Sequence, residues 1–257
     1  MQLEQKRALL QQYFTEHNRV VLGFSGGVDS AFLLAAAKEA GADITPVFIH
    51  TPFQPAFELE DARRLTDQLG IRLEIITANP LQQPEIVRND AKRCYWCKHL
   101  LFSLLKDRAR ELNAVLIDGT NASDPEDDRP GMQALRELGA ESPLRICGLN
   151  KDEIRQISKE YGLFTWDKPS YACLATRIPT GTAIDCETLQ KIENAEEALF
   201  RLGFSDFRVR VFHGAARIQL LASQWQMDED RRRQVTDAVG QFFDTVLLDM
   251  TPRTSRE

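Results

Sequence analysis

Six residues constrain this chain more than any others: Ser25-Gly26-Gly27-Val28-Asp29-Ser30. The apolar run Val20 to Phe24 leads into them, and an unbroken stretch of helix formers, Ala31 to Ala40, follows. Two adjacent glycines on a strand-to-helix turn let the backbone point its amides inward. Ser25 and Ser30 add hydroxyls. The free N–H groups and the dipole of the following helix favour an anion. The stretch therefore reads as a phosphate cradle. It lacks the lysine of a Walker loop and the third glycine of the dinucleotide fingerprint. An ordinary glycine turn is the competing reading.

The remaining pattern says what carries the cradle. Gln5 to His17 has the spacing of an amphipathic helix, Ile44 to Ile49 is a second buried strand, and Phe57 to Leu69 is a helix. Arg72 to Thr77 is a third strand, Pro80 to Asn89 a connection, Lys98 to Leu112 a helix and Ala114 to Ile117 a fourth strand. Strands alternating with helices predict an α/β fold with a doubly wound, mainly parallel sheet. Ligands sit at the carboxyl ends of such strands. His50 and Thr51 after the second strand, and Gly119 and Asn121 after the fourth, are therefore candidates for holding a nucleotide beside Ser25, Gly26, Gly27, Asp29 and Ser30. A lone histidine is as readily structural. Asn150 and Glu153 form a capping-box pattern ahead of a helix to Tyr161. Thr165 to Gly181 fits neither period, and long irregular loops are often functional. From Cys186 the order helix, two strands, helix, strand predicts a small α+β domain. The expected division is residues 1–180 and 181–257.

The composition is that of a soluble globular chain, 43% hydrophobic and 27% charged. No apolar run is long enough for a membrane helix, and the N-terminus lacks a signal peptide's apolar core, so the cytoplasm is expected. A net charge of −6 disfavours a long nucleic-acid partner. Arg231-Arg232-Arg233 lies beside Asp228-Glu229-Asp230 and reads as a solvated helix face. Five cysteines, an odd number, argue against a disulfide framework. Cys94 and Cys97 form a Cys-x-x-Cys pair that can bind a metal or an iron–sulfur cluster, with Cys173 on the long loop as a third ligand. Zinc completed by His99, a redox dithiol, and plain burial are the alternatives.

The Ser-Gly-Gly-x-Asp-Ser loop resembles that of the PP-loop ATP pyrophosphatases, which split ATP between its α and β phosphates. Together with Arg93 to Lys98, Asp118 to Asn121, and Lys168 to Thr182, it is similar to the ATP-dependent sulfur transferases that build the nickel-pincer cofactor of lactate racemase. The Cys173-Leu174-Ala175-Thr176-Arg177-Ile178-Pro179 segment is the most specific part. The resemblance covers nearly the whole chain and implies an adenine nucleotide α-hydrolase-like domain. It also implies ATP and Mg²⁺ as cofactors and a pyridinium dicarboxylate mononucleotide as substrate, each carboxylate being adenylated and then converted to a thiocarboxylate. In one form of the family a single cysteine at the Cys173 position gives up its own sulfur. In the other, three cysteines hold a [4Fe–4S] cluster that carries sulfide. Cys94, Cys97 and Cys173 match the second form. In such a reaction Asp29 orients the loop or helps hold Mg²⁺, which neutralises the leaving pyrophosphate. Arginine pairs bidentately with anions such as the substrate, which makes Arg177, with Thr176 beside it, the first candidate to hold it. By the resemblance Arg208 and Arg210, on one face of a strand, clamp the substrate phosphate, two exposed strand arginines being the alternative. Trp96 offers a face for stacking on the ring, a core tryptophan being the alternative. An acidic residue is usual where Gln219 stands here, which leaves Glu196, Glu197 and Asp228 as acidic candidates. A sulfide donor and a homo-oligomer, a hexamer, are implied partners. The rival functions are a tRNA thiolase, an amidotransferase-type synthetase, and an ATP-binding module with structural zinc.

Overall fold

The structure is a computed structural model that describes residues 1–125 and 130–254. The chain divides into two compact units. The first comprises Met1–Thr51, Ala56–Asn79 and Cys94–Lys168, and the second Pro52–Pro55, Pro80–Arg93 and the chain from Pro169 onward. No described helix is long and apolar enough to cross a membrane.

The first unit runs α1 (Leu3–Glu16), β1 (Arg19–Gly23), α2 (Val28–Glu39), β2 (Asp43–His50), α3 (Ala56–Leu69) and β3 (Glu74–Thr77). After an excursion into the second unit through α4 (Pro84–Val87), it resumes with α5 (Arg93–Glu111) and β4 (Val115–Ile117). Then follow α6 (Pro130–Leu138), α7 (Pro143–Ile146) and α8 (Lys151–Glu160). The four strands are parallel in the order β3-β2-β1-β4. Val20, Val21 and Leu22 of β1 are fully buried, as the contiguous apolar run of a strand covered on both faces requires. One face packs Leu10, Phe14, Phe32, Leu33, Ile154 and Ile157 from α1, α2 and α8. The other packs Val21, Val47 and Leu116 against Leu105 and Ala109 of α5. The doubly wound parallel sheet is thus as the alternation predicts.

The strand order places the site. The chain winds outward from β1 to β2 and β3, then returns to the far side of β1 for β4. Winding reverses between β1 and β4, and the loops leaving their carboxyl ends flank the crevice of an open α/β sheet. α5 begins at Arg93, five residues before the start that the apolar pattern suggests, because a turn at Asp90 launches it. The Lys92 amide donates to the Asp90 carboxylate at 2.8 Å, and the Arg93 amide to the Asp90 carbonyl at 3.0 Å. Cys94 and Cys97 consequently sit on the first turn of a helix. α6, which the apolar pattern does not reveal, buries Ala134 and Leu135.

The second unit holds α9 (Cys186–Arg201), β5 (Arg208–Phe212), β6 (Ala215–Gln219), α10 (Ala222–Trp225), α11 (Glu229–Val239) and β7 (Val246–Leu248). β6 is central, antiparallel to β5 and parallel to β7. Leu189, Ile192, Leu199, Val209, Ile218 and Val239 form its apolar interior. The segment Pro80–Arg93 is built into this unit through Asn89, which is fully buried at φ 54°, a backbone region asparagine tolerates better than most residues. Its amide donates to the carbonyls of Pro179 and Thr182 at 2.9 Å each and accepts from Arg93 at 2.6 Å.

Candidate active site

The Ser25–Ser30 loop joins β1 to α2, and its two glycines do different work. Gly26 has φ 71°, and a Cβ there would lie 3.2 Å from the Ala62 backbone nitrogen and 3.3 Å from the Glu58 carbonyl of α3. Its role is conformation and close packing. A Cβ on Gly27 would meet a single heavy atom within 4 Å, the Ser25 hydroxyl at 3.4 Å. That side of the loop is open. Gly27 is the N-cap of α2, and no side chain caps the helix. By contrast Asn150, Asp185 and Asp228 each cap the helix they precede. An uncapped N-terminus leaves backbone donors for an anion. The Ser25 and Ser30 hydroxyls lie 3.2 Å apart, and Ser25 accepts from the Gly27 amide at 3.3 Å.

The turn after β4 meets this loop. A Cβ on Gly119 would lie 3.1 Å from the Ser30 nitrogen, so only glycine lets the two backbones come so close. Asp118 organises the turn by accepting from Ser142 at 2.6 Å and from the Thr120 hydroxyl at 2.5 Å. Asn121, 3% exposed, donates to Asp29 at 3.4 Å and accepts from the Ser123 amide. Asp29 also pairs with Lys151 at 2.5 Å. Burial raises the Asp29 pKa, and Lys151 opposes that rise. Ser25, Gly26, Gly27, Asp29, Ser30, Gly119 and Asn121 are thus assembled as one constellation. At the end of β2, Thr51 is buried, and the half-buried His50 uses its carbonyl to accept from the Ala78 amide.

None of the five cysteines is in a disulfide. Cys94 is exposed and Cys97 half-buried, three residues apart on α5. Trp96 between them is 37% exposed and packs edge-on against Tyr95, whose hydroxyl donates to Glu137 at 2.7 Å. Cys173 is half-buried immediately before the 3-10 turn Leu174–Arg177. Burial pushes the Cys147 thiol up to about 11, which makes it a packing residue. Among the described residues no three His, Cys, Asp or Glu side chains form a ready-made metal group.

Of the expected substrate residues, Thr176, Arg177, Arg208 and Arg210 converge in the second unit, with their bonds running inward, and Trp96 belongs to the first. Arg177 is 1% exposed and pairs with Glu196 through Nε at 2.9 Å and Nη2 at 3.1 Å. Its Nη1 donates to the Ala172 carbonyl at 2.7 Å and the Thr176 hydroxyl at 2.9 Å. Glu196 also accepts from the Val209 amide and the Tyr171 hydroxyl. Burial works against the Arg177 charge, but Glu196 outweighs it and raises the pKa. Arg177, expected to face an anionic substrate, has its Nε, Nη1 and Nη2 all bonded within the second unit, and those bonds brace the loop that carries Cys173. Thr176 donates to the Cys173 carbonyl at 2.8 Å and so braces the same turn.

Arg208, 4% exposed, donates to the carbonyls of Phe207 and Ser170. Burial, with Arg177 and Arg253 nearby, brings its pKa down to about 10. Arg210 is half-buried, donates to Gln219 at 2.6 Å and to the Thr176 carbonyl at 2.8 Å, and is lowered by burial and the same neighbours. Gln219 passes the contact on, donating to Asp249 at 2.9 Å. The acid here is therefore supplied from beyond β7. Of the other acidic candidates, Asp228 caps α11 and Glu197 pairs with Arg201 on the surface. Lys151 and Asp249 are functional candidates that sequence reasoning missed. A lysine on the first turn of a capped helix was the available sign for Lys151, and nothing local marks Asp249.

A family model described as NAD synthase matches residues 2–110. The pyridinium-3,5-bisthiocarboxylic acid mononucleotide synthase of Lactiplantibacillus plantarum is 32% identical, over 96% of this chain and 91% of the relative. An uncharacterized protein of Synechocystis sp. is 39% identical, over 87% of this chain and 84% of its own length. A tRNA-specific 2-thiouridylase of Clostridium acetobutylicum is 25% identical, over 59% of this chain and 54% of the relative.

Proposed function

The chain belongs to the family of the pyridinium-3,5-bisthiocarboxylic acid mononucleotide synthase, within the PP-loop ATP pyrophosphatases, and from that premise we propose that it is an ATP-dependent sulfurtransferase. It adenylates the carboxylates of a pyridinium-3,5-dicarboxylate mononucleotide and converts them to thiocarboxylates, for a nickel-pincer cofactor. The observation that carries the reading is the open, uncapped N-terminus of α2 at the point where the sheet's winding reverses.

The amides and hydroxyls of Ser25–Ser30 receive the pyrophosphate portion of ATP; Asp29 would hold Mg²⁺, which would neutralise the pyrophosphate. A substrate carboxylate oxygen attacks the α-phosphorus. The bond from that phosphorus to the bridging oxygen breaks, and pyrophosphate leaves. A sulfur nucleophile then attacks the acyl carbon, and AMP departs with the original oxygen. We place the substrate phosphate at Arg208 and Arg210, whose charges are disfavoured first by burial and then by Arg177 and Arg253, a strain that a bound anion relieves. Arg177, Glu196 and Thr176 hold the Cys173 turn in place.

The donor chemistry of Cys94, Cys97 and Cys173 suits an iron–sulfur cluster: three thiols outside the apolar core, two of them one helical turn apart. When bound, a [4Fe–4S] cluster with three protein ligands supplies an iron open to sulfide. The test is an anaerobic reaction with ATP, sulfide and the pyridinium dicarboxylate mononucleotide. The expected products are AMP, pyrophosphate and a thiocarboxylate with the mass shift of an oxygen-to-sulfur exchange. ADP in place of AMP, or no sulfur in the product, overturns the reading. Metal analysis of the same sample should find ~4 irons per chain; zinc without iron removes the cluster from the proposal.

A further inference from the structure

Tyr171 lies two residues before Cys173, half-buried, and touches two of the arginines of the second unit. Its ring centroid is 4.5 Å from the Arg177 guanidinium carbon and 5.2 Å from that of Arg208. Its hydroxyl donates to Glu196, the carboxylate that also takes Nε and Nη2 of Arg177. The backbone on either side is engaged as well. The Ser170 carbonyl accepts from Arg208 at 2.7 Å, and the Ala172 carbonyl from Arg177 at 2.7 Å. One short stretch of chain therefore sets Arg208 and Arg177 in register.

Arg208 needs such support. It is 4% exposed, and Arg177 and Arg253 both repel it. The nearby Asp206 carboxylate, at 3.7 Å, lies closer to Arg253, at 3.2 Å. A carboxylate of its own would hold Arg208 by cancelling its charge. An aromatic face attracts the guanidinium through the ring quadrupole and leaves the charge in place for an anion. The hydroxyl acts elsewhere: it reaches Arg177 through Glu196, and Arg177 bonds the Ala172 carbonyl and the Thr176 hydroxyl on either side of Cys173.

We propose that Tyr171 is a positioning residue for substrate binding. Its ring orients Arg208 for an anionic group, and its hydroxyl, through Glu196 and Arg177, steadies the turn that presents Cys173. The proposal rests on the reading that puts the substrate phosphate at Arg208 and Arg210.

Calorimetric titration of the full chain with the pyridinium dicarboxylate mononucleotide, and separately with the nucleoside that a phosphatase makes from it, tests the ring. Tyr171→Met should weaken mononucleotide binding about tenfold and leave nucleoside binding unchanged. Tyr171→Phe, which keeps the ring, should retain the preference for the phosphate. Alkylation of the reduced, ligand-free chain with iodoacetamide, mapped by peptide mass spectrometry, tests the hydroxyl. Tyr171→Phe should speed modification of Cys173 severalfold and leave Cys94 and Cys97 at their wild-type rates. Should Tyr171→Met fail to fold, pentafluorophenylalanine at position 171 decides the matter: it keeps the shape of phenylalanine, reverses the charge of the ring face and should lose the phosphate preference. Equal weakening of both ligands, or of neither, makes Tyr171 a packing residue and overturns the proposal. So does a Cys173 rate that Tyr171→Phe leaves unchanged or raises only together with the other two. A wild-type protein that binds the nucleoside as tightly as the mononucleotide overturns the phosphate site itself.

Discussion

The Ser25–Ser30 loop and the Arg177–Glu196 pair use hydrogen bonding in opposite ways. The loop leaves capacity open: a helix N-terminus with no capping side chain and a glycine with almost nothing beside it. The pair closes capacity, a buried guanidinium and carboxylate each bonded on several sides. The first arrangement is made for something that comes and goes. The second is made to stay, and what it fixes is the turn that presents Cys173.

The most severe break in this comparison is Arg177→Met. It strands the Glu196 carboxylate in an apolar interior, and we expect a loss of about 3–5 kcal/mol in urea denaturation. A loss below about 1 kcal/mol would reclassify the pair as a surface-like bridge. The two glycines sharpen the comparison further. Gly26→Ala should cost about 1–3 kcal/mol, since it adds a Cβ against α3 at a positive φ. Gly27→Ala should leave the denaturation midpoint within about 0.5 kcal/mol of the wild type yet abolish measurable ATP binding. Similar stabilities for the two variants would erase the division of labour between them.

The smallest effect concerns Asp249. Its pKa is held below the ordinary range, first by the Gln219 amide and then by the Thr251 amide, with Arg217 and Arg210 adding to it. A depressed carboxylate stabilises the fold above its unfolded pKa and loses that contribution as pH falls through its folded one. Asp249→Asn should therefore lower the melting temperature at neutral pH, and the gap should close below about pH 4. A gap that persists in acid would mean that packing, not charge, holds this corner.

Much of the first unit was legible because its strands are contiguous apolar runs, Val20 to Phe24 and Ile44 to Ile49, that only a doubly covered sheet can bury. The cap at Asn150 was legible because both halves of its box are three residues apart. The start of α5 was not, since Cys94-Tyr95-Trp96-Cys97 carries little helix propensity and the turn at Asp90 is a hydrogen-bonding event. Lys151 escaped because its partner lies 122 residues earlier. Arg177 was read by type, as an anion grip. Its burial is decided by Glu196, 19 residues later.

Asn89 has a consequence for how the chain is made. Its side chain binds carbonyls 90 and 93 residues downstream, so during synthesis it leaves the ribosome long before its partners exist. The second unit cannot close until those residues have been translated, and the loop-closure entropy falls on that late step. A gene cut between Lys168 and Pro169 would leave Pro80–Arg93 on the wrong fragment. The two units are therefore not separable modules that could be shuffled or expressed as contiguous halves.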